Sequence, residues 1–240
     1  MNGELSGRVI AVTGATGGIG RALCLAAAAR GAQLILLARN EGKLRALHAE
    51  LEAISPDAAL MAPLDLEKAI AGDYDRIAAA VEQRFGRLDG LVHCAALLGT
   101  LTPVELYDVP TWCRVMHVNL TAAFALTQVL LPALRRAPDA SVIFTSSSVG
   151  RKGRAHWGAY AASKFAVEGL SQVLADELSG SSRVRVNTIN PGPARTLMRR
   201  QAYPSENLES VPLPETLLEP YLLLLGPRGA GTTGQALSSQ

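Results

Sequence analysis

The chain has 240 residues, 48% of them apolar and 5% aromatic, enough for a sizeable core within one large domain. Its 23 Lys and Arg are interspersed with 21 Asp and Glu for a net charge of +2, so no basic face marks a nucleic-acid binder. Three dispersed cysteines, Cys24, Cys94 and Cys113, lack zinc-site spacing, and their odd count suits neither a disulfide framework nor a metal centre; a reducing cytoplasm is the expected compartment.

The N-terminal "MNGELSGRVIAVTG" has no basic flank before a long apolar run. No later run reaches the roughly 18 apolar residues that span a bilayer, so a soluble protein without membrane partners is expected. "RVIAVTG" reads as a buried strand, and Ile19, Ala22, Leu23, Ala26 and Ala27 continue at helical spacing until Gly31. "QLILLA" is a second strand, Leu44, Leu47, Leu51 and Ile54 mark an amphipathic helix, and "ALMAPLD" is a third strand.

The alternation continues with a helix around Ile77 to Phe85, the strand "DGLVHCA", a long helix around Trp112 to Leu134, and "SVIFTS". The helix carrying Tyr160 then leads to "VRVNTIN". Six buried strands separated by helical sequence imply a parallel sheet with helices on both faces, because crossovers are right-handed. The expected fold class is α/β, a doubly wound Rossmann-type sheet, in a single domain over residues 1–240. "YPSENLESVPLP", Tyr203 to Pro214, is polar and proline-punctuated, and predicts a mobile substrate loop within residues 197–215. "LLEPYLLLLGP" reads as a core-packing helix broken at Pro220.

The first strand runs into "TGATGGIG", with Gly14, Gly18 and Gly20 opening the following helix. Glycines let the backbone approach a diphosphate, and the helix start offers unpaired N–H groups. A dinucleotide is the economical ligand, although the spacing departs from the common G-x-G-x-x-G fingerprint. The second strand ends in Ala38 and Arg39, with no carboxylate there for a ribose 2'-hydroxyl. A guanidinium pairs with the extra phosphate of NADP, so NADP(H) is the expected cofactor.

"GAYAASKF" places Tyr160 and Lys164 four residues apart on one helix face. An ammonium beside a phenol is expected to lower the phenol's pKa from about 10 toward neutrality, which makes it a usable acid or base. Ser147 ends "SVIFTSS", Asn119 stands in the preceding helix, and Pro191-Gly192 follow the sixth strand.

With these residues in this order, the chain resembles the classical short-chain dehydrogenase/reductase family over essentially its full length. "FTSSSVGRKGRAHWGAYAASKFA" is similar to the bacterial YciK group within it. The resemblance implies a sheet of about seven strands in the order 3-2-1-4-5-6-7 and a catalytic set of Asn119, Ser147, Tyr160 and Lys164. Tyr160 would give or take the proton, Ser147 would bond the substrate oxygen, and Lys164 would also hold the nicotinamide ribose. Asn119 would keep a water linking Lys164 to solvent. Gly14, Thr16, Gly18, Ile19, Gly20, Arg39, Asp65, Ala95, Pro191, Gly192 and Thr196 would contact the cofactor along with Tyr160 and Lys164. Asp65 and Thr196 have a plainer alternative as helix caps.

The family's Asn-Asn-Ala-Gly after the fourth strand is here "HCAA", His93 to Ala96. Cys94 is the weaker hydrogen-bonding group, and the Ala96 methyl narrows the approach to the cofactor. His93 is expected to be packed, His48 solvated, His117 near Asn119, and His156 and Trp157 at the substrate pocket. "GRKGR", Gly150 to Arg154, reads as a solvated loop that could meet an anionic carrier. The expected function is an NADP(H)-dependent oxidoreductase acting on a small carbonyl or alcohol. A nucleotide sensor with little turnover and a reductase of carrier-bound 3-oxoacyl chains are the alternatives. The resemblance further implies a homodimer through the helices carrying Asn119 and Tyr160, with a homotetramer as the larger option.

Overall fold

A computed structural model describes residues 3–239, so positions 1, 2 and 240 of the expected domain lie outside the described residues. Seven strands form one parallel sheet: β1 Val9–Thr13, β2 Gln33–Ala38, β3 Ala59–Pro63, β4 Gly90–His93, β5 Ala140–Thr145, β6 Val184–Asn190 and β7 Ala236–Ser238. Their order is β3-β2-β1-β4-β5-β6-β7, as the resemblance implied. The helices are α1 Gly18–Ala28, α2 Glu41–Ile54, α3 Ala71–Phe85, α4 Val109–Met116, α5 Ala122–Arg135, α6 Gly158–Leu178, α7 Leu197–Ala202 and α8 Glu219–Leu225.

Period-2 alternation divides the strand residues between two cores. Val9 and Ala11 of β1 face a layer with Ile77 and Val81 of α3, Leu126 and Leu130 of α5, and Val167 of α6. Ile10 and Val12 face the other, with Leu23 of α1, Leu44, Leu47 and Leu51 of α2, and Tyr221 and Leu225 of α8. Burying each such Leu or Ile removes enough apolar surface to stabilise the fold by about 1.5–3 kcal/mol. The chain reverses its direction of winding between β1 and β4, and this opens a crevice beyond their carboxyl ends.

Three expectations need correction. The helix read around Trp112 to Leu134 is α4 and α5 joined by a wider π turn, His117–Thr121, which carries Asn119. The stretch Val109–Arg135 does meet the length and mean hydropathy, 1.4, of a membrane span. In the fold its Leu126, Leu130 and Leu134 are fully buried in the core beside the sheet. Pro220 does not break α8 but lies in its first turn, where its missing N–H costs no helical bond. Residues 197–215, the expected substrate loop, hold α7 and the 3-10 turn Leu208–Ser210, and Arg195 just before them donates to the carbonyls of Val211 and Glu209.

Candidate active site

The crevice is a cleft of about 390 Å³ running from Arg39 and Asp65 past the β1–α1 turn to Ser147, Tyr160 and Lys164, and on to Met198 and Tyr203. The turn is built for close approach. Gly14 has a φ of 64°, and a Cβ there would lie 2.8 Å from the backbone nitrogen of Ala95. A Cβ on Gly20 would lie 2.3 Å from the carbonyl oxygen of Gly14, and one on Gly18 would strike the Thr196 methyl at 2.4 Å. No side chain caps the start of α1, so its first N–H groups face the crevice without such a partner.

Gly14, Thr16, Gly18, Ile19, Gly20, Arg39, Asp65, Ala95, Pro191, Gly192 and Thr196 all line this one cleft. Asp65 caps no helix: its carboxylate accepts from Glu67 N at 3.2 Å in a turn. Thr196 does both things foreseen for it, lining the cleft and accepting from Arg199 N at the start of α7. Glu67 is a carboxylate that the strand-end reading missed; it lines the cleft near Arg39, but Arg114 holds it in a two-pronged ion pair at 2.8 and 3.2 Å.

At the other end, Tyr160 and Lys164 share a face of α6 and are 8% and 3% exposed. Lys164 Nζ stands 5.6 Å from the Tyr160 ring centroid and donates to the Thr145 carbonyl at 2.7 Å. The expected acidification of the phenol by this ammonium is not found. Burial pushes the Tyr160 phenol up to about 12, against a downward pull from its hydrogen bond with Ser147. Burial pushes Lys164 down to about 8, opposed by Cys94 and Glu168. Desolvation therefore outweighs the hydrogen bond at Tyr160 and the charge interactions at Lys164.

Asn119 is fully engaged in holding structure. Its Oδ1 accepts from Leu97 N at 2.7 Å, and its Nδ2 donates to Leu97 O and to Ser163 Oγ, both at 2.9 Å. Ser163 Oγ in turn donates to the Tyr160 carbonyl at 2.8 Å. The π turn thus ties the loop after β4 to the first turn of α6, and positions the phenol.

The family model for short chain dehydrogenases matches residues 8–207. The chain belongs to this family. It is 44% identical to the oxidoreductase YciK of Escherichia coli over 236 residues, 98% of this chain and 93% of that one. A short chain dehydrogenase structure from Pseudomonas syringae is 52% identical with a TM-score of 0.98, covering 100% of this chain and 97% of that one. Another, from Shigella flexneri 2a and complexed with NADP, is 43% identical with a TM-score of 0.97 and full coverage of both chains.

The altered turn of this family member is supported by other groups. Ala95 N donates to Thr13 Oγ1 at 3.2 Å, and Cys94 Sγ stands 3.5 Å from Thr145 Oγ1, which also accepts from Tyr221. Burial pushes the Cys94 thiol up to about 11, so it is no nucleophile at neutral pH. His93 stacks on Phe144 with centroids 4.8 Å apart, and lies 2.9 Å from Thr127 Oγ1. Because that hydroxyl gives its own proton to Ala123 O, His93 Nε2 donates to it. Burial pushes His93 down to about 3.

Several loop expectations change. His156 is exposed with a φ of 71° and does not line the cleft, whereas Trp157 does. His48 is half-buried beside the Ala59 carbonyl at 3.2 Å. "GRKGR" is not simply solvated: Arg151 joins Glu168, Ser238 and Leu237, and Arg154 donates to the Tyr203 hydroxyl. Met198, Arg199, Ala202 and Tyr203, from the segment expected to border the substrate, line the cleft, as does Leu98, which the sequence reading did not single out.

Proposed function

We propose that the protein is an NADP(H)-dependent oxidoreductase acting on a carbonyl/alcohol pair, with Tyr160 as general acid/base. The observation that carries this reading is the placement of the Ser147 and Tyr160 hydroxyls, with Lys164 behind them, at one end of a cleft whose glycine turn excludes Cβ atoms. The glycine contacts fit a diphosphate, and Arg39 at the far end fits a 2'-phosphate. Bound NADPH would supply the hydride.

Ser147 and Tyr160 donate hydrogen bonds to the substrate oxygen, where negative charge develops during reduction. Tyr160 Oη then passes its proton to that oxygen. The burial that holds the phenol protonated suits this direction. Asn119 positions the helix start, and Lys164 holds positive charge behind the phenol. The NADP complex of the Shigella flexneri relative supports the cofactor choice. A carrier-protein substrate gains little support, since Arg151 and Arg154, though exposed, are engaged within the chain.

The protein is read as soluble and cytoplasmic, with residues 197–215 as a movable cap. It pairs as a homodimer through α5 and α6, where Phe124 and Phe165 are each 46% and Val173 56% exposed. The test is an NADPH-consumption screen across ketones, quinones, sugars and acyl thioesters. Tyr160→Phe should abolish turnover while leaving NADPH affinity intact. Tight NADP binding without any Tyr160-dependent turnover would support the sensor reading instead.

A further inference from the structure

The substrate end of the cleft has a wall that proton and hydride transfer do not require. Leu98, Val149 and Ala161 cluster with the Tyr160 ring, and Trp157, Met198 and Ala202 pack against them. Trp157 lies 5.8 Å from the Tyr160 ring at 62° and 5.9 Å from the Tyr203 ring at 42°, so three rings run outward from the reacting hydroxyl.

Trp157 is held firmly in this place. Its backbone bridges to Thr102, Thr102 N donates to His156 O at 3.1 Å, and His156 adopts its left-handed φ of 71° immediately before it. A non-glycine residue is disfavoured there, and the surrounding bonds maintain it beside the pocket.

The two arginines bordering this wall already lie over its rings. Arg199 lies 3.8 Å from the Tyr203 ring centroid and forms a two-pronged pair with Glu206 at 2.6 and 2.5 Å. Arg154 covers Trp157 and Tyr203 at 5.9 and 5.6 Å and donates to the Tyr203 hydroxyl at 2.5 Å. A carboxylate or phosphate drawn into this pocket would lose its water and would have to draw the Arg154 guanidinium away from the two rings and the Tyr203 hydroxyl that it holds.

We propose that this end selects an uncharged, ring-containing ketone or aldehyde and the matching alcohol, packing its ring on Trp157 and Tyr203 while Arg154 fastens Tyr203. The inference rests on the oxidoreductase reading and names the substrate class of that site.

The test compares acetophenone, 4-acetylbenzoate and open-chain 2-octanone with the NADPH-loaded protein, by turnover and by calorimetric binding to the NADP-loaded form. Acetophenone should exceed both others in kcat/KM by about tenfold. Trp157→Ala and Tyr203→Ala should each raise its KM by about tenfold, and Tyr203→Phe, which keeps the ring, by about threefold. Preference for 4-acetylbenzoate, erased by Arg154→Gln, would overturn the proposal in favour of an anionic substrate. Unchanged selectivity in the two alanine variants would also overturn it. Acetophenone binding that weakens in those variants, without turnover, would uphold the pocket and sink the redox reading; absence of both binding and turnover would sink the pocket.

Discussion

At the scale of single residues, burial sets the chemistry more than pairwise charge does. The Tyr160–Lys164 spacing was legible in the sequence, but the phenol's elevation to about 12 was not, because residues from distant segments enclose it. With Lys164 lowered from its ordinary 10.5 to about 8, its proton leaves at lower pH than that of a solvated lysine. The kcat/KM profile should therefore fall as pH rises through about 8; a limb near the ordinary lysine value would contradict this. His93 gives a second test. The unfolded chain takes up its proton as pH falls through 6.5, whereas the folded chain refuses it until about 3. The contribution is thus fully present above about 6.5 and is lost as the solution is acidified through that window. His93→Phe keeps the stacking surface and removes the proton site, so calorimetry should show a smaller Tm loss than the parent between about pH 7 and about pH 5.

At the scale of elements, the strands were readable because both faces are covered and each is a nearly continuous apolar run. The π turn carried no such signal: His117–Thr121 differs from the adjoining helices in hydrogen-bond register and not in composition. The short β7 was foreshadowed only by the family-like tail, since its residues are half-exposed or exposed. Helix α6 carries more than the phenol and amine. One turn beyond Lys164, Glu168 is 8% exposed and joins Arg151 at 3.0 Å and Thr188 at 2.7 Å. Cys94, His93 and Tyr160 also face the amine, but Glu168 is the carboxylate that favours its charged form. Glu168→Gln should move the alkaline limb to lower pH, measured as a shift in the kcat/KM profile with both variants folded by circular dichroism; an unmoved limb would reject this coupling.

At the scale of the whole molecule, alternation of strand and helix made the doubly wound sheet and its crevice legible, since right-handed crossovers leave few other arrangements. The segments of the cap were legible, Trp157 and the stretch 197–215 among them, but not the contact between Trp157 and Tyr203, which are far apart in the chain. The proposed dimer belongs to this scale. Phe124, Phe165 and Val173 leave an apolar face on α5 and α6, and Phe165→Asp should shift the mass in light scattering from dimer toward monomer. A parent protein that is already monomeric would refute that assembly. Arg151, which follows Ser147 by four positions, grips β7 through Ser238 and Leu237 while also bonding Glu168. The outermost strand and α6 therefore share one fastening, so clipping that strand away frees the same guanidinium that braces Glu168 one turn beyond Lys164.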